Sequence, residues 1–381
     1  MPLPVVKLGG GFFWYFAALG LFAPWWPLYL SDRGFGALQI GLLMGVFSAM
    51  RVLGPPVVAH WADASGQRLR VARATAAAAI VAIIAFPWLD GFGAFAVLLA
   101  CYSAAWNGLL SVYDAHVLGR LGADTGRYAR LRLWGSIGFI LTSAAGGWWL
   151  GLSGIGALPW SIAALLGLAL ASLLSLDAGH EGRQPAPRTP LGPSFADRRV
   201  WVFLLVAFLM VASMGAYNNF FSLLLERHGY SRGAIGLLWA WGATAEIAVF
   251  AGAPWLLARY SLRAIMISAL ALTALRWIVL VSFIDVPAIV FASQTLHLAS
   301  FGLFHLASVA LAQTLFPPAA LARGQSLLGS LGYGLGGMSG ALASGWLWDH
   351  VGPESPYLAA VLVVLCALGV AVAGLRPGPY R

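Results

Sequence analysis

The sequence predicts an all-α polytopic membrane protein with twelve transmembrane helices in two pseudo-symmetric six-helix bundles. Of its 381 residues, 60% are hydrophobic and only 9% are charged, against about a quarter charged in soluble domains. Apolar runs of about 20 residues, long enough to cross the roughly 30 Å hydrocarbon layer, follow one another along the chain. Motifs of the first half also recur in the second half. Together these observations predict a duplicated membrane bundle without a sizeable soluble domain.

The apolar runs place the predicted transmembrane helices, numbered 1 to 12 in chain order. The first six cover about 8–30, 38–61, 73–89, 92–117, 132–151 and 158–176. The second six cover about 200–224, 233–257, 264–284, 288–315, 325–348 and 357–375. The segments predicted to lie outside are short, so neighbouring helices are expected to run antiparallel.

An internal repeat relates the two halves. The tetrapeptide Ile-Gly-Leu-Leu at 40–43 occurs again at 235–238, and Gly-Ser-Ile-Gly-Phe at 135–139 returns as Gly-Ser-Leu-Gly-Tyr at 329–333. A repeat of this kind is typical of duplicated transporter bundles. In the same register Arg51 aligns with Glu246, so opposite charges are expected at equivalent depths of the two halves.

One long polar stretch divides the chain. It is rich in Pro and Gly, which prevent helix continuation and favour a flexible linker. The predicted organisation is an N-terminal six-helix bundle over 1–177, a cytoplasmic linker over 178–198 and a C-terminal six-helix bundle over 199–381.

The distribution of charge predicts the topology. The formal net charge is +9, and most of the basic residues fall in segments that are cytoplasmic if both termini are cytoplasmic, as the positive-inside rule requires. This explains the basic character without nucleic acid. We expect a monomer in a bacterial inner membrane, whose partners are a small-molecule solute and the lipid bilayer. No cofactor is expected besides protons as the coupling ion, and no metal site.

Glu246 is the main candidate for proton coupling. It lies near the middle of predicted helix 8, with no basic residue one helical turn away. An ionisable group at that depth costs a few kcal/mol and so indicates function. Burial favours the neutral carboxyl and a nearby arginine favours the charged form. A group moved between these environments can take up and release a proton. A fixed structural ion pair and direct substrate contact are the alternatives.

Other charged residues are candidate partners. Arg51 in predicted helix 2 and Arg276 in predicted helix 9 must be paired, hydrated or facing an anionic solute, because arginine does not lose its proton. Asp114 ends predicted helix 4 and Arg132 opens helix 5, so the two are expected at similar depth, where bidentate pairing is the natural geometry. A role of Asp114 in coupling and a salt bridge that anchors a gate or loop are both open.

Predicted helix 10 carries a polar and aromatic stripe. Gln294, His297, Phe301 and His305 follow helical spacing and therefore share one face. Such a stripe suits a cavity wall that binds a small aromatic or carboxylated solute. Two core histidines that are hydrogen-bonded to neighbouring helices are the alternative. Metal binding is not expected, because no Cys, Asp or Glu accompanies these histidines on the helix.

Four further polar residues are candidates for solute binding, with helix–helix hydrogen bonding as the alternative for those on helix 7. They are Tyr217, Asn218 and Asn219 on predicted helix 7 and Asn107 on predicted helix 4. The sequence contains no GxxxxGK[ST] pattern, so ATP-driven pumping is not expected.

The loop between predicted helices 2 and 3 resembles a signature of the major facilitator superfamily. In Ala-His-Trp-Ala-Asp-Ala-Ser-Gly-Gln-Arg at 59–68, Asp63, Gly66 and Arg68 agree with the signature. The leading glycine of the signature is replaced by Ala59, and two usually basic positions are Ala and Gln. The resemblance implies the twelve-helix fold of that superfamily and a cytoplasmic gate loop at these three residues.

A more specific resemblance is to the 3-phenylpropionate transporter group, which is related to lactose permease. The segments at 50–54, 60–63, 128–136, 242–246 and 294–307 carry it. It implies proton symport, with Asp114 and Arg132 directed toward the substrate and Glu246 toward coupling. Lactose permease couples through an acid on helix 10, whereas 288–316 contains none, so Glu246 is the leading proton carrier.

These inferences lead to one expected function. The protein is expected to be a proton-coupled symporter of a small organic solute, such as an aromatic carboxylate like phenylpropionate, that works by alternating access. The alternatives are proton-driven efflux of a drug or metabolite and symport of a sugar or nucleoside. A membrane enzyme that uses the Tyr-Asp-Ala-His segment at 113–116 or Asp349-His350, and a sensor that binds without transport, are less consistent with a twofold repeat.

Overall fold

The computed structural model describes residues 5–121, 125–177, 197–317 and 320–375, and these ranges form helices without β-strands. The first half contains six long helices: α1 (Val5–Asp32), α2 (Ala37–Ser65), α3 (Arg68–Ala85), α4 (Phe92–Leu121), α5 (Thr125–Ser153) and α6 (Leu158–Leu174). Two of the described turns are tight. Gly34 after α1 and Gly154 after α5 have φ values of 86° and 82°, a left-handed conformation that glycine adopts without steric cost.

The second half contains six more long helical segments: α7 (Arg198–Arg227), α8 (Arg232–Ala251), α9 (Leu262–Ser282), α10 (Pro287–Leu315), α11 (321–350) and α12 (Ser355–Gly374). Ten helices in the described ranges are long and apolar enough to cross a membrane. The other two long segments are α5, which opens with several arginines, and α11, which is rich in glycine. The predicted all-α polytopic fold is confirmed, and the pattern agrees with twelve spans.

Several helices of the second half are irregular, whereas the sequence predicted regular spans. α7 is interrupted at Met214, and π-helical turns occupy Leu298–Leu303 in α10 and Leu328–Gly336 in α11. A π-helical turn widens the helix and changes the register of the residues after it, and such turns are frequent at functional sites. α8 also ends earlier than predicted. A short helix, Ala253–Arg259, comes after it, because Pro254 lacks the N–H that a continuous helix needs.

The chain divides into two compact units that do not coincide with its two sequence halves. Unit 1 comprises Met1–Phe35, Val46–Pro185 and Ser231–Ala240, and unit 2 comprises Gly36–Gly45, Ala186–Tyr230 and Trp241–Arg381. Each unit thus includes the first turns of one helix from the other half, α8 in unit 1 and α2 in unit 2. Residues 178–196 of the predicted linker lie outside the described residues, so the boundary at 178–198 stays a prediction.

Equivalent glycines explain why the start of α2 packs within unit 2 and the start of α8 packs within unit 1. In unit 2, an added Cβ at Gly41 would lie 2.6 Å from the carbonyl oxygen of Ala341 in α11. In unit 1, an added Cβ at Gly236 would collide with the carbonyl of Ser143 in α5. Both glycines belong to the repeated Ile-Gly-Leu-Leu motif. The repeat in the sequence is therefore a repeat of close backbone packing, which small residues permit within a membrane.

A carboxylate also caps the start of α2. In unit 2, Asp349 of α11 accepts hydrogen bonds from the backbone N–H groups of Ala37 at 3.2 Å and Leu38 at 2.8 Å. These N–H groups have no partner within the helix, and a negative charge at a helix N-terminus is favourable. Asp349 is therefore a structural residue.

The packing of α1 against α5 can be tested by adding one methyl group. A Cβ at Gly138 would collide with the carbonyl of Phe13, whereas nothing lies within 4 Å of a Cβ at Gly167 in α6. Overpacking costs about 1–3 kcal/mol. We expect Gly138→Ala to lower the melting temperature of the purified protein by several degrees, while Gly167→Ala leaves it unchanged or raises it. Equal melting temperatures for the two variants would contradict this packing.

Candidate functional site

A short hydrogen-bonding contact joins α8 and α10 in unit 2. Glu246 of α8 and His297 of α10 approach each other with 2.6 Å between Oε1 and Nε2, and their side chains are only 16% and 11% exposed. Gly242, one turn before Glu246, faces the histidine, and an added Cβ there would lie 3.4 Å from the imidazole. The absence of a side chain at Gly242 thus lets α10 bring its histidine to the carboxylate.

Arg276 of α9 completes this network on the other side of the histidine ring. It is fully buried, and its Nη1 lies 2.7 Å from His297 Nδ1 while its Nη2 donates to Gln294 Oε1 at 2.7 Å. Its guanidinium carbon lies 4.1 Å from the ring centroid of Tyr217 and 4.7 Å from that of Trp277. Cation–π contacts stabilise a buried cation of this kind. The guanidinium of Arg276 therefore contacts two polar side chains and two aromatic rings.

The contacts of His297 determine its tautomer. Arginine has donors only, so the atom facing it, Nδ1, must accept and carries no hydrogen. A neutral imidazole must then carry its hydrogen on Nε2, which donates to Glu246. The network consists of one cation, one neutral histidine and one carboxylate, so an ionised Glu246 balances the charge of Arg276. Charge balance is what permits a buried arginine to persist in a low-dielectric environment.

The aromatic stripe of α10 continues from this network through the π-helical turn. The ring centroids of His297 and Phe301 are 6.3 Å apart, and Phe301 stacks on His305 at 5.7 Å with an interplanar angle of 2°. His305 Nδ1 lies 3.0 Å from the hydroxyl of Tyr333 in α11. The predicted shared face of these residues is therefore observed, although the helix that carries it is not a regular α-helix.

The structure distinguishes between the alternatives that the sequence left open for these residues. Glu246 has a partner, His297, which comes from another helix, where the spacing within α8 cannot reveal it. Arg276 is paired in this conformation, since its two terminal nitrogens contact His297 and Gln294. The alternative of a core histidine bonded to a neighbouring helix describes His297 correctly, but the bond is to two ionisable groups.

A second cluster of charged residues lies in unit 1. Asp114 of α4 accepts a hydrogen bond from the hydroxyl of Tyr128 of α5 at 2.8 Å. The guanidinium carbon of Arg132 lies 4.0 Å from the ring centroid of Phe16 and 5.5 Å from that of Phe12. In the described part of the chain, the expected bidentate pair of Asp114 and Arg132 is not formed. Tyr128 satisfies the carboxylate, and the two phenylalanines attract the guanidinium through their π faces.

This cluster has an excess of positive charge. Tyr15 of α1 lies within electrostatic range of Arg51, Arg132 and Asp114. Arg51 is exposed and Arg132 is half-buried. Two positive charges and one negative charge therefore act on Tyr15 in unit 1, whereas the network in unit 2 is balanced.

The remaining predicted solute-binding residues lie apart from these clusters or serve the backbone. Asn107 donates to the carbonyl of Ser103 at 2.8 Å, and the buried Asn219 donates to the carbonyl of Gly215 at 2.8 Å. Both carbonyls are one turn earlier in the same helix. Asn218 is exposed on α7. The described residues contain no group of three or more His, Cys, Asp or Glu side chains that could hold a metal ion.

The turn after α2 brings two of the signature residues into contact. Arg68 Nη2 and Asp63 Oδ1 lie 3.3 Å apart, and Gly66 between them has a φ of 64°. The left-handed glycine reverses the chain so that the guanidinium reaches back to the carboxylate. Both side chains are partly exposed, so the pair contributes little to stability on its own.

Tyr217 was predicted only as a candidate for solute binding, and sequence reasoning missed three further tyrosines near polar groups, Tyr15, Tyr128 and Tyr333. Tyr128 lies four residues before Arg132, a spacing that places both on one helical face, so this contact had a detectable signal. Tyr15 and Tyr333 had none, because each reaches its partner from a helix whose rotation the sequence does not specify.

Helices that hold ionisable groups within a duplicated membrane bundle are typical of multi-pass secondary transporters. The chain belongs to the MFS_1-like family, which residues 5–359 match. This confirms the predicted membership of the major facilitator superfamily, whose members are transporters and not enzymes.

Two relatives and one solved structure are informative. The chain is 28% identical over 307 residues to the probable 3-phenylpropionic acid transporter of Escherichia coli (strain K12), covering 78% of this chain and 79% of that protein. It is 24% identical over 354 residues to the maltose permease of Geobacillus stearothermophilus, covering 89% and 86%. The fold matches that of a mutant of the nucleoside transporter NupG with a TM-score of 0.87, over 98% of this chain and 100% of that one, at 17% identity.

The charge balance in unit 2 predicts strong coupling between two substitutions. Removing one member of a buried charge pair costs about 3–5 kcal/mol, because the other is left uncompensated. We expect Arg276→Leu and Glu246→Leu each to lower the melting temperature of the purified protein. The melting temperature of the double variant should fall by clearly less than the sum of the two single decreases. Additive losses would mean that the two charges do not compensate each other.

Proposed function

We propose that this transporter is a proton-coupled symporter of a small organic monoanion that carries an aromatic ring. The observation that supports it is the contact of Glu246 with a histidine whose other nitrogen is held by Arg276. We place the protein in a bacterial inner membrane with both termini cytoplasmic, as its charge distribution favours. Transport then proceeds by alternating access of one solute site.

Glu246 is the group proposed to bind the proton. His297 cannot accept a proton at Nδ1 while Arg276 donates to that atom, and its Nε2 already carries a hydrogen. Glu246 uses Oε1 to accept from His297, which leaves Oε2 for a proton. Protonation would neutralise Glu246 and leave the charge of Arg276 unbalanced. Because charges interact strongly in a low-dielectric environment, this imbalance favours the arrival of an anion and so links proton uptake to solute binding.

Arg132 is the group proposed to bind the carboxylate of the solute. It is half-buried, contacts the rings of Phe16 and Phe12 and is not paired directly with Asp114. Arginine binds carboxylates through two parallel hydrogen bonds, and the phenylalanine rings provide an apolar surface beside it. The name of the relative from Escherichia coli, a probable 3-phenylpropionic acid transporter, is consistent with an aromatic carboxylate.

Sugar symport is the second candidate, and the maltose permease among the relatives favours it. A neutral sugar would use hydrogen bonds and would not require the excess positive charge of unit 1. Binding assays with aromatic carboxylates and with disaccharides, on the same purified protein, separate the two candidates.

The proton-binding role of Glu246 predicts a loss of accumulation without a loss of binding. In Glu246→Gln the amide oxygen still accepts from His297, but the side chain cannot take up a proton. In proteoliposomes we expect uptake against a gradient to fall to the level of passive equilibration, while exchange of internal for external solute continues. The control is Glu354→Gln, which removes a partly exposed acid near His228; this variant should accumulate solute normally. Accumulation by Glu246→Gln at the wild-type level would exclude the proposed role.

The carboxylate-binding role of Arg132 predicts selectivity between an acid and its amide. We expect Arg132→Gln to weaken binding of phenylpropionate at least tenfold, since a hydrogen bond to a charged group contributes about 1.5–3 kcal/mol. Binding of the neutral phenylpropionamide should change little. Isothermal titration calorimetry measures the binding of the acid and of the amide, and Arg259→Gln is the control variant. An equal effect on the acid and on the amide would show that Arg132 does not recognise the carboxylate.

A further inference from the structure

A cavity of about 400 Å³ lies against the first turns of α5, on a face that the transport site does not use. Its lining residues are Arg127, Arg130, Leu133, Trp134 and Ile137. Positions 127, 130, 134 and 137 follow alternating spacings of three and four residues, so they form one stripe along the helix. The stripe begins with two guanidiniums and continues with apolar side chains only.

This stripe is separate from the proposed solute site. Arg132 lies two residues after Arg130, and two residues correspond to about 200° around an α-helix. Arg132 therefore points nearly opposite to Arg130, toward Phe16 of α1. The cavity consequently cannot be the other side of the carboxylate site in unit 1.

The apolar part of the stripe is partly open. Leu133 and Trp134 are 46% and 41% exposed. The indole of Trp134 contacts α1, since an added Cβ at Gly9 would lie 2.8 Å from its Cδ1. The ring therefore packs against α1 at Gly9 and also lines the cavity.

The charged end of the stripe is suited to an anion. Among the described residues that line the cavity, none carries a carboxylate. Arg130 is exposed and takes part in none of the hydrogen bonds or ion pairs of the described residues. Two neighbouring guanidiniums bind a phosphate group through charge-assisted, paired hydrogen bonds.

The length of the stripe identifies the kind of anion. The distance along the helix from Arg127 to Ile137 is about 15 Å at 1.5 Å per residue, which is about half of the roughly 30 Å hydrocarbon layer. A molecule with a phosphate at one end and an apolar chain the depth of one leaflet fits this stripe. A free phosphate would leave the apolar residues without a role.

We propose that this groove of α5 binds an anionic phospholipid, with its phosphate on Arg127 and Arg130 and an acyl chain along Leu133, Trp134 and Ile137. The lipid belongs to the leaflet at the α4–α5 turn, the cytoplasmic one in the predicted topology. Basic pockets on the cytoplasmic side of membrane proteins are suited to such headgroups.

Native mass spectrometry of the full chain released from lipid nanodiscs tests the proposal. The nanodiscs contain phosphatidylcholine and phosphatidylglycerol with identical acyl chains. We expect the wild type to retain phosphatidylglycerol preferentially, and Arg127→Gln/Arg130→Gln to retain it about fivefold less for each arginine removed, on the basis of a typical contribution per basic residue at the membrane surface. The control is Arg70→Gln/Arg259→Gln, which removes two exposed arginines elsewhere and should behave as the wild type.

A second measurement on the wild type does not depend on the folding of a variant. Phosphatidylglycerol added to the detergent-solubilised protein should raise its melting temperature more than phosphatidylcholine does, and inorganic phosphate or glycerol 3-phosphate should have no such effect. Equal retention of the two lipids, an equal loss in the control variant, or stabilisation by inorganic phosphate alone would each overturn the proposal. Solute binding by these variants is expected to be normal, so the outcome is independent of the proposed transport function.

Discussion

The structure depends on the requirement that a buried arginine be compensated. Arg276 is inaccessible to solvent, and it is compensated by hydrogen bonds to His297 and Gln294 and by the faces of Tyr217 and Trp277. An isolated charge in such an environment costs several kcal/mol. This requirement fixes the tautomer of His297, and the tautomer in turn directs the Nε2 hydrogen toward Glu246. A substitution at any of these positions therefore affects the others.

The two units differ in how they balance charge, and this difference gives the proposed transport cycle its logic. In unit 2 the carboxylate of Glu246 compensates Arg276 through His297. In unit 1 the charges that act on Tyr15 are those of Arg51, Arg132 and Asp114, two positive and one negative. The duplicated sequence has thus diverged into a balanced site, which a proton would unbalance, and a positive site, which an anion would neutralise. A symporter of a proton and a monoanion needs both properties.

The sequence predicts the fold well because membrane burial requires long apolar helices, and the positions of those helices can be read directly from composition. The repeated Ile-Gly-Leu-Leu motif likewise indicates the duplication, and in the structure the two copies are sites of equivalent close packing at Gly41 and Gly236. The contacts between residues of the site are harder to predict from the sequence. Glu246 meets His297 only because α8 and α10 face each other at a particular rotation, and the π-helical turn at Leu298–Leu303 depends on tertiary packing. The sequence also does not show which of several neighbours a side chain will contact. Arg132 was expected to pair with Asp114, but its guanidinium lies against the ring of Phe16.

The central claim is that Glu246, and not His297, carries the transported proton. Solid-state ¹⁵N NMR of histidine-labelled protein in bilayers tests it most directly, with the His297 signals assigned by comparison with His297→Gln. The account predicts an unprotonated Nδ1 and a protonated Nε2 throughout the pH range in which a proton gradient drives uptake. A doubly protonated His297 within that range would contradict the account. The transported proton would then reside on the imidazole, and Arg276 could no longer donate a hydrogen bond to Nδ1.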